Sequence, residues 1–282
     1  MHERIGFIGL GQLGLPVAMN LLAAGYRLQV YNRTASKAQV LVEQGAQQVA
    51  RPVEAISPGG VVVTLVWDDA ALESIVRSEG FLTQLGDDGI HLSLSTIQLE
   101  AAKRLADLHA HHGSLYIEAP IFGRPEAAAA RQLWFSVAGP ARGKERVYPL
   151  LQAMGGQGIF DFGEAVGAAT TVKIAGNFLI IAAAHALQEA VAMAKENGVP
   201  PHAIIDMLTQ SLFPAPIYKA YGKMIAENTL PFGQSQIPLK DIRLFREAAE
   251  GRHVPTPLAH LLETRLHNDA TEAQARSTTP AS

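Results

Sequence analysis

The chain has 282 residues, 48% hydrophobic and 17% charged, a composition that excludes a disordered protein and accommodates one large domain or two ordinary ones. A net charge of −3 gives no electrostatic attraction to nucleic acid or to an acidic membrane surface. The absence of cysteine removes disulfides, thiol nucleophiles and cysteine-ligated metals.

From the start, RIGFIGL reads as a strand, Leu15 to Ala24 as a helix and RLQVYNR as a second strand. Ser36 to Gln44 is helical, VVVTLV (61–66) is a strand, 71–78 is helical, IHLSLST (90–96) is a strand and Leu99 to His112 a helix. SLYIEAP (114–120) and LWFSVAG (133–139) are further strands; a helix from Lys144 to Met154 and a short strand near GIFDFG follow. Strands alternating with helices of this length predict βαβ units and a mostly parallel sheet. After Gly163 the strands stop, and 166–196, 201–212, 215–228, 237–250 and 256–269 read as helix, broken at NGVPP, FPAP and LPFG. The expected organisation is an α/β domain over 1–164 and an all-helical domain over 165–282 that begins with a long interdomain helix. The opening MHERIGFIGLG has too short an apolar run for a secretory signal, and His185, Gln188 and Glu189 interrupt the run from Phe178 to Ala194. No membrane span is expected, and the expected location is cytoplasmic.

GFIGLGQLG places Gly9, Gly11 and Gly14 in the spacing G-x-G-x-x-G between the first strand and first helix. The first glycine permits the tight turn, the second lets backbone approach a pyrophosphate, and the third lets helix and strand pack closely. The helix N-terminus adds free N–H groups and partial positive charge, so Gly9, Gly11, Gln12, Leu13 and Gly14 are candidate cofactor contacts. The second strand ends in Asn32, Arg33 and Thr34, where an acidic residue would meet a free ribose 2′-hydroxyl. Arg33 suits a 2′-phosphate instead, which favours NADP(H) over NAD(H). Val66, Trp67, Ser95 and Thr96 follow the third and fourth expected strands and belong to the carboxyl rim where such sheets bind ligands.

TTVKIAGNFLII (170–181) puts Lys173 and Asn177 one turn apart on an otherwise apolar helix. Burial and a cationic nicotinamide would both disfavour the ammonium, making Lys173 a candidate proton donor to a carbonyl, with Asn177 holding the lysine or the substrate oxygen. On composition alone the stronger reading is a lysine at the first turn of the helix that snorkels to water.

Four blocks in order, GFIGLGQLGLPVAMNLLAAG, EAPIFGRPEAAAARQLWFSVAGP, GAATTVKIAGN and LKDIRL, make the whole chain resemble the β-hydroxyacid dehydrogenase family, which includes 3-hydroxyisobutyrate dehydrogenase and tartronate semialdehyde reductase. The resemblance implies a Rossmann-type doubly wound domain followed by an all-α domain. It implies Lys173 as catalytic lysine, Asn177 as its companion, Thr96 near the nicotinamide and Lys240 as a cofactor contact. Val66 joins the implied cofactor set, and Phe122, Gly123 and Arg124 form the implied substrate loop. A small aldehyde or hydroxyacid substrate and a homodimer or homotetramer also follow, with no nucleic acid, membrane or metal.

The loop departs from the family pattern D-A-P-V-S-G-G, reading Glu118-Ala-Pro-Ile-Phe122-Gly-Arg124. Phe122 donates no hydrogen bond and would suit a more apolar substrate. Arg124 would pair with a substrate carboxylate or with Glu126. Leu13 stands for the usual methionine, and Ala169 for a frequent glycine. The aromatics of FPAPIYKAYG (213–222) are expected in the core, HAHH (109–112) at a solvated helix end, and Asp68 and Asp69 as helix caps. The alternatives to a small-aldehyde or keto-acid reductase are an imine reductase, against which Lys173 argues, and a non-catalytic NADP(H)-binding sensor or scaffold. A 6-phosphogluconate dehydrogenase would need a larger helical domain.

Overall fold

A computed structural model describes residues 3–230 and 236–278, with side chains to residue 271. The chain divides into two compact units, Met1–Lys173 and Ile174–Ser282.

In the first unit, β1 (Arg4–Ile8), β2 (Arg27–Tyr31), β3 (Gln47–Gln48), β4 (Val61–Thr64), β5 (Ile90–Ser93) and β6 (Leu115–Glu118) form a parallel sheet in the order β3-β2-β1-β4-β5-β6. Strand period decides which core each residue enters. Val61 and Val63 join one apolar layer with Ile5, Phe7 and Ile117. Val62 points the other way, towards Ile8, Leu72, Phe81 and Tyr116. The first layer includes residues of α1 (Gly14–Ala23) and α7 (Ala141–Ala153). The second includes residues of α3 (Asp69–Val76), α4 (Phe81–Leu85) and α5 (Leu99–His111). Asp68 caps α3 through its Oδ1, which accepts from the Ala71 amide at 2.9 Å, while Asp69 accepts from the Gln98 amide at 3.0 Å.

The remaining strands do not extend this sheet. β7 (Ile121–Phe122), β8 (Leu133–Val137) and β9 (Gly156–Asp161) make a separate three-stranded sheet, with β7 antiparallel to β8. Pro120, lacking an N–H, ends β6. The chain then turns to pair Phe122 with Trp134, leaving one bridge from Glu118 to Ala138. The short α6 (Pro125–Ala129) lies between β7 and β8. Between β2 and β3, the expected single helix is a 3₁₀ turn (Ala35–Ala38) followed by α2 (Gln39–Glu43).

α8 (Ala168–Glu196) starts in the first unit and continues into the second. By length and composition it would cross a membrane. Its inner residues instead enter protein cores: Ile181 packs with Ile242, Ala259, Leu262 and Leu266, and Leu187 and Val191 pack with Ile205. Those partners come from α9 (Pro201–Gln210), α11 (Ile237–Glu250) and α12 (Pro257–Thr278). α10 (Pro216–Ala226) completes the unit, and proline near the starts of α9, α10 and α11 costs no helical hydrogen bond there.

Candidate active site

Sheet order reverses between β1 and β4, so the loops after these strands share one carboxyl rim. Gly9 has φ +104°, and a Cβ there would lie 2.2 Å from the Leu65 carbonyl oxygen after β4. A Cβ on Gly14 would lie 2.1 Å from the Gly9 carbonyl oxygen, so both positions require glycine. Around Gly11 the same test meets nothing within 4 Å, which leaves backbone open to an approaching group. Gln12 is exposed, Leu13 precedes the first turn of α1, and no side chain caps that turn. These features fit a pyrophosphate held by backbone amides.

Asn32 braces this loop. Its Oδ1 accepts from the Leu10 amide at 2.8 Å and its Nδ2 donates to the Thr34 carbonyl at 2.8 Å. Arg33 and Thr34 are exposed beside it. Across the reversal, the Val66 amide donates to Ser95 Oγ at 2.8 Å, and Thr96 is half-buried next to that serine.

Lys173 lies in the second turn of α8, 8% exposed, with Nζ 4.2 Å from the centre of the Phe122 ring. The electron-rich face of the ring attracts the ammonium. The start of α8 is held by Glu118, at the end of β6. Glu118 Oε1 accepts the amides of Gly167 and Ala169 at 2.8 Å each and that of Thr170 at 3.4 Å, while Oε2 accepts the Thr170 hydroxyl at 2.7 Å. Ser136 Oγ donates to the Ala169 carbonyl at 3.1 Å. Glu118 thereby satisfies the orphan amide donors of the helix start from β6, and Ser136 ties the Ala169 carbonyl to β8. Burial raises the Glu118 carboxyl above its ordinary range, against the pull of these hydrogen bonds.

One turn beyond Lys173, in the second unit, Asn177 is buried and its Nδ2 donates to Asp241 Oδ2 at 2.7 Å. Asp241 is itself buried and forms an ion pair with its neighbour Lys240 at 3.0 Å. The sequence alone does not single out Glu118 or Asp241, although both lie inside family-like blocks, in E-A-P and L-K-D. In the substrate loop, Gly123 is exposed with φ +148°, and exposed Arg124 meets Glu126 Oε2 at 3.4 Å.

Two expectations are corrected. His109 is fully buried rather than solvated: its Nε2 lies 2.9 Å from His91 Nδ1 and its Nδ1 2.9 Å from Ser114 Oγ. α5 turns this histidine inward against β5, and only His111 and His112 face solvent. The aromatics of 213–222 reach a core only in part: half-buried Tyr218 packs against the Leu187–Val191–Ile205 cluster, while Phe213 is 38% exposed and lies tilted against Tyr218 with ring centres 5.1 Å apart. FPAP lies at the start of α10, where little apolar surface covers it.

Two family models account for the chain. The NAD binding domain of 6-phosphogluconate dehydrogenase matches residues 4–172, and the NAD-binding domain of NADP-dependent 3-hydroxyisobutyrate dehydrogenase matches 167–279. An uncharacterized oxidoreductase of Bacillus subtilis is 38% identical, over 94% of this chain and 93% of its own. 3-Hydroxyisobutyrate dehydrogenase of Pseudomonas aeruginosa is 34% identical, over 73% of this chain and 69% of its own. The crystal structure of a 3-hydroxyisobutyrate dehydrogenase from Salmonella typhimurium, 22% identical, shares the fold with a TM-score of 0.85 over 96% of this chain and 95% of its own. With a glycine loop at the reversal point, a buried lysine on α8 and these matches, the chain belongs to the β-hydroxyacid dehydrogenase family of NAD(P)-dependent oxidoreductases, which act on CH–OH groups.

Proposed function

We propose that the protein is an NADP(H)-dependent reductase and dehydrogenase that interconverts a small hydroxyacid or related alcohol with its aldehyde or ketone, using Lys173 as general acid and base. The observation that carries this reading is the buried Lys173 ammonium, fixed on a helix start anchored by Glu118. With its pyrophosphate at the glycine loop, the reduced cofactor would supply the hydride for the carbonyl carbon. Lys173 Nζ gives a proton to the carbonyl oxygen, completing the alcohol, and solvent restores the lost proton. In the oxidative direction the neutral amine takes the hydroxyl proton.

Gly9, Gly11, Gln12, Leu13 and Gly14 hold the pyrophosphate, with Asn32 bracing the loop and Arg33 and Thr34 at the adenosine 2′-phosphate. Val66 and Thr96 flank the nicotinamide, and Lys240 is a further cofactor contact. Phe122, Gly123 and Arg124 bound the substrate, and Asn177, oriented by Asp241, assists the lysine. The active form is a homodimer or homotetramer in the cytoplasm, divided into a cofactor domain over 1–164 and a helical domain over 165–282.

Initial rates of NADPH oxidation with carboxylated and uncharged aldehydes test the reading. Lys173→Ala loses about 10²-fold or more in kcat at retained cofactor binding; near-normal turnover in that variant overturns it. Arg33→Ala lowers the NADPH-over-NADH ratio of kcat/KM about tenfold, through loss of a charge-assisted contact.

A further inference from the structure

We infer that the aromatic pocket beside Lys173 receives the uncharged, apolar substituent of the carbonyl substrate, so that the enzyme selects aryl or branched-alkyl aldehydes and ketones over carboxylated ones. This inference rests on the proposed hydride transfer and names the substrate class at that same site.

The pocket, of about 320 Å³, lies on the small β7-β8-β9 sheet and the adjoining start of α8. Its volume is in the range of small-molecule sites, and its wall includes Phe122, Trp134, Phe160, Phe162 and Val172. None of its lining residues is ionisable in the physiological range. Its hydroxyl, on Ser136, already donates to the Ala169 carbonyl. Phe122 is the shared wall: it lines the pocket and also lies 4.2 Å beneath Lys173 Nζ. A carbonyl whose oxygen meets that ammonium can therefore extend an apolar group along Phe122 into the pocket.

The wall is built rather than incidental. Gly158 on β9 faces Trp134, and a Cβ there would lie 2.2 Å from the indole Cε3, so the indole plane occupies the space that any other residue would fill. Trp134 then stacks on Phe160 with ring centres 5.9 Å apart and planes at 28°. These two rings remain 41% and 54% exposed, which leaves apolar area for a substituent to cover. Arg124, two residues after Phe122, is exposed, pairs with Glu126 and is not among the residues that line this wall.

The test compares kcat/KM with NADPH for phenylacetaldehyde and succinic semialdehyde in the wild type, Trp134→Ala and Gly158→Ala, with far-UV circular dichroism to verify folding. The wild type is expected to favour phenylacetaldehyde at least tenfold. Each variant should lower that ratio about tenfold, chiefly through KM, because apolar contact contributes to ground and transition state alike. Quenching of tryptophan emission by phenylacetaldehyde in the wild type, lost in Trp134→Phe, supplies a binding readout separate from turnover. A wild-type preference for succinic semialdehyde, abolished by Lys173→Ala, overturns the inference and leaves the hydride-transfer reading intact. Silence towards both aldehydes overturns both. A variant that changes the sedimentation state with no change in the ratio shows that a second copy of the chain covers this face, and also overturns the inference.

Discussion

Glu118 and the His91–His109 pair lie in the same unit, all buried, yet they meet the cost of burial in different ways. Glu118 gathers donors from the start of α8, with four hydrogen bonds to its two oxygens. The histidines instead stay neutral in a chain that runs one way. Ser114 Oγ donates to the His109 carbonyl, so it accepts from His109 Nδ1–H. His109 Nε2 then accepts from His91 Nδ1–H, and His91 Nε2 accepts from the Thr64 hydroxyl. A proton added to His109 would set its Nε2–H against His91 Nδ1–H, and one added to His91 would force the Thr64 hydroxyl to turn from donor to acceptor. The comparison separates two uses of a buried polar group: Glu118 joins the sheet to the helix that carries Lys173, while the histidines join β4, β5 and α5 within a core.

Acid should expose the difference most strongly. Burial lowers His91 well below its ordinary 6.5 and lowers His109 to about 3, with neighbouring histidines adding to the effect. The unfolded chain therefore binds more protons than the folded one across that interval. The stability from keeping the rings neutral is complete above pH 6.5 and drains as pH falls towards 3. The loss approaches roughly 1.4 kcal/mol per pH unit for each histidine. Glu118 acts with the opposite sign: its carboxyl is raised above 4.5, so its contribution is complete below that value and is lost as pH rises through the folded pKa. Urea unfolding from pH 4 to 8 should show the histidine slope below about 6.5, flattened in a His91→Leu/His109→Leu double variant. An unchanged slope in that variant would break the assignment.

Glu118→Ala is expected to lower unfolding stability by roughly 3 kcal/mol, since it strips acceptors from several buried donors at once. Turnover should fall with it, because α8 positions Lys173. Glu118→Gln keeps an acceptor oxygen and should recover most of both, a contrast readable in one urea series with parallel rates. Asp241→Ala leaves the Asn177 amide without its acceptor and should cost about 1–2 kcal/mol. Thr64→Val removes the hydroxyl at the outer end of the histidine chain. It should cost about 1 kcal/mol, the smallest effect, measured as a shift in urea midpoint at pH 7.5.

The alternation of short β-branched runs with amphipathic stretches determined the α/β half, and the loss of that alternation determined the helical half. Both signals are local, because strand and helix periods and turn chemistry act over neighbouring residues. The glycine loop was legible for the same reason: Gly9 and Gly14 serve a turn and a close approach within one strand–helix unit. Lys173 and Asn177 could be placed on one helix from their spacing alone. What faces them was decided only by the tertiary structure. Thr170 meets Glu118 across 52 residues of chain, and Asn177 meets Asp241 across 64. His109 looked solvated in HAHH because its neighbours are polar, yet α5 rotates that one position into the core. The second sheet likewise forms because Pro120 interrupts β6 and the strands after it pair among themselves. Local periodicity carries no record of which distant donor an interior carboxylate will meet, since that pairing arises only when burial makes an unsatisfied polar group costly.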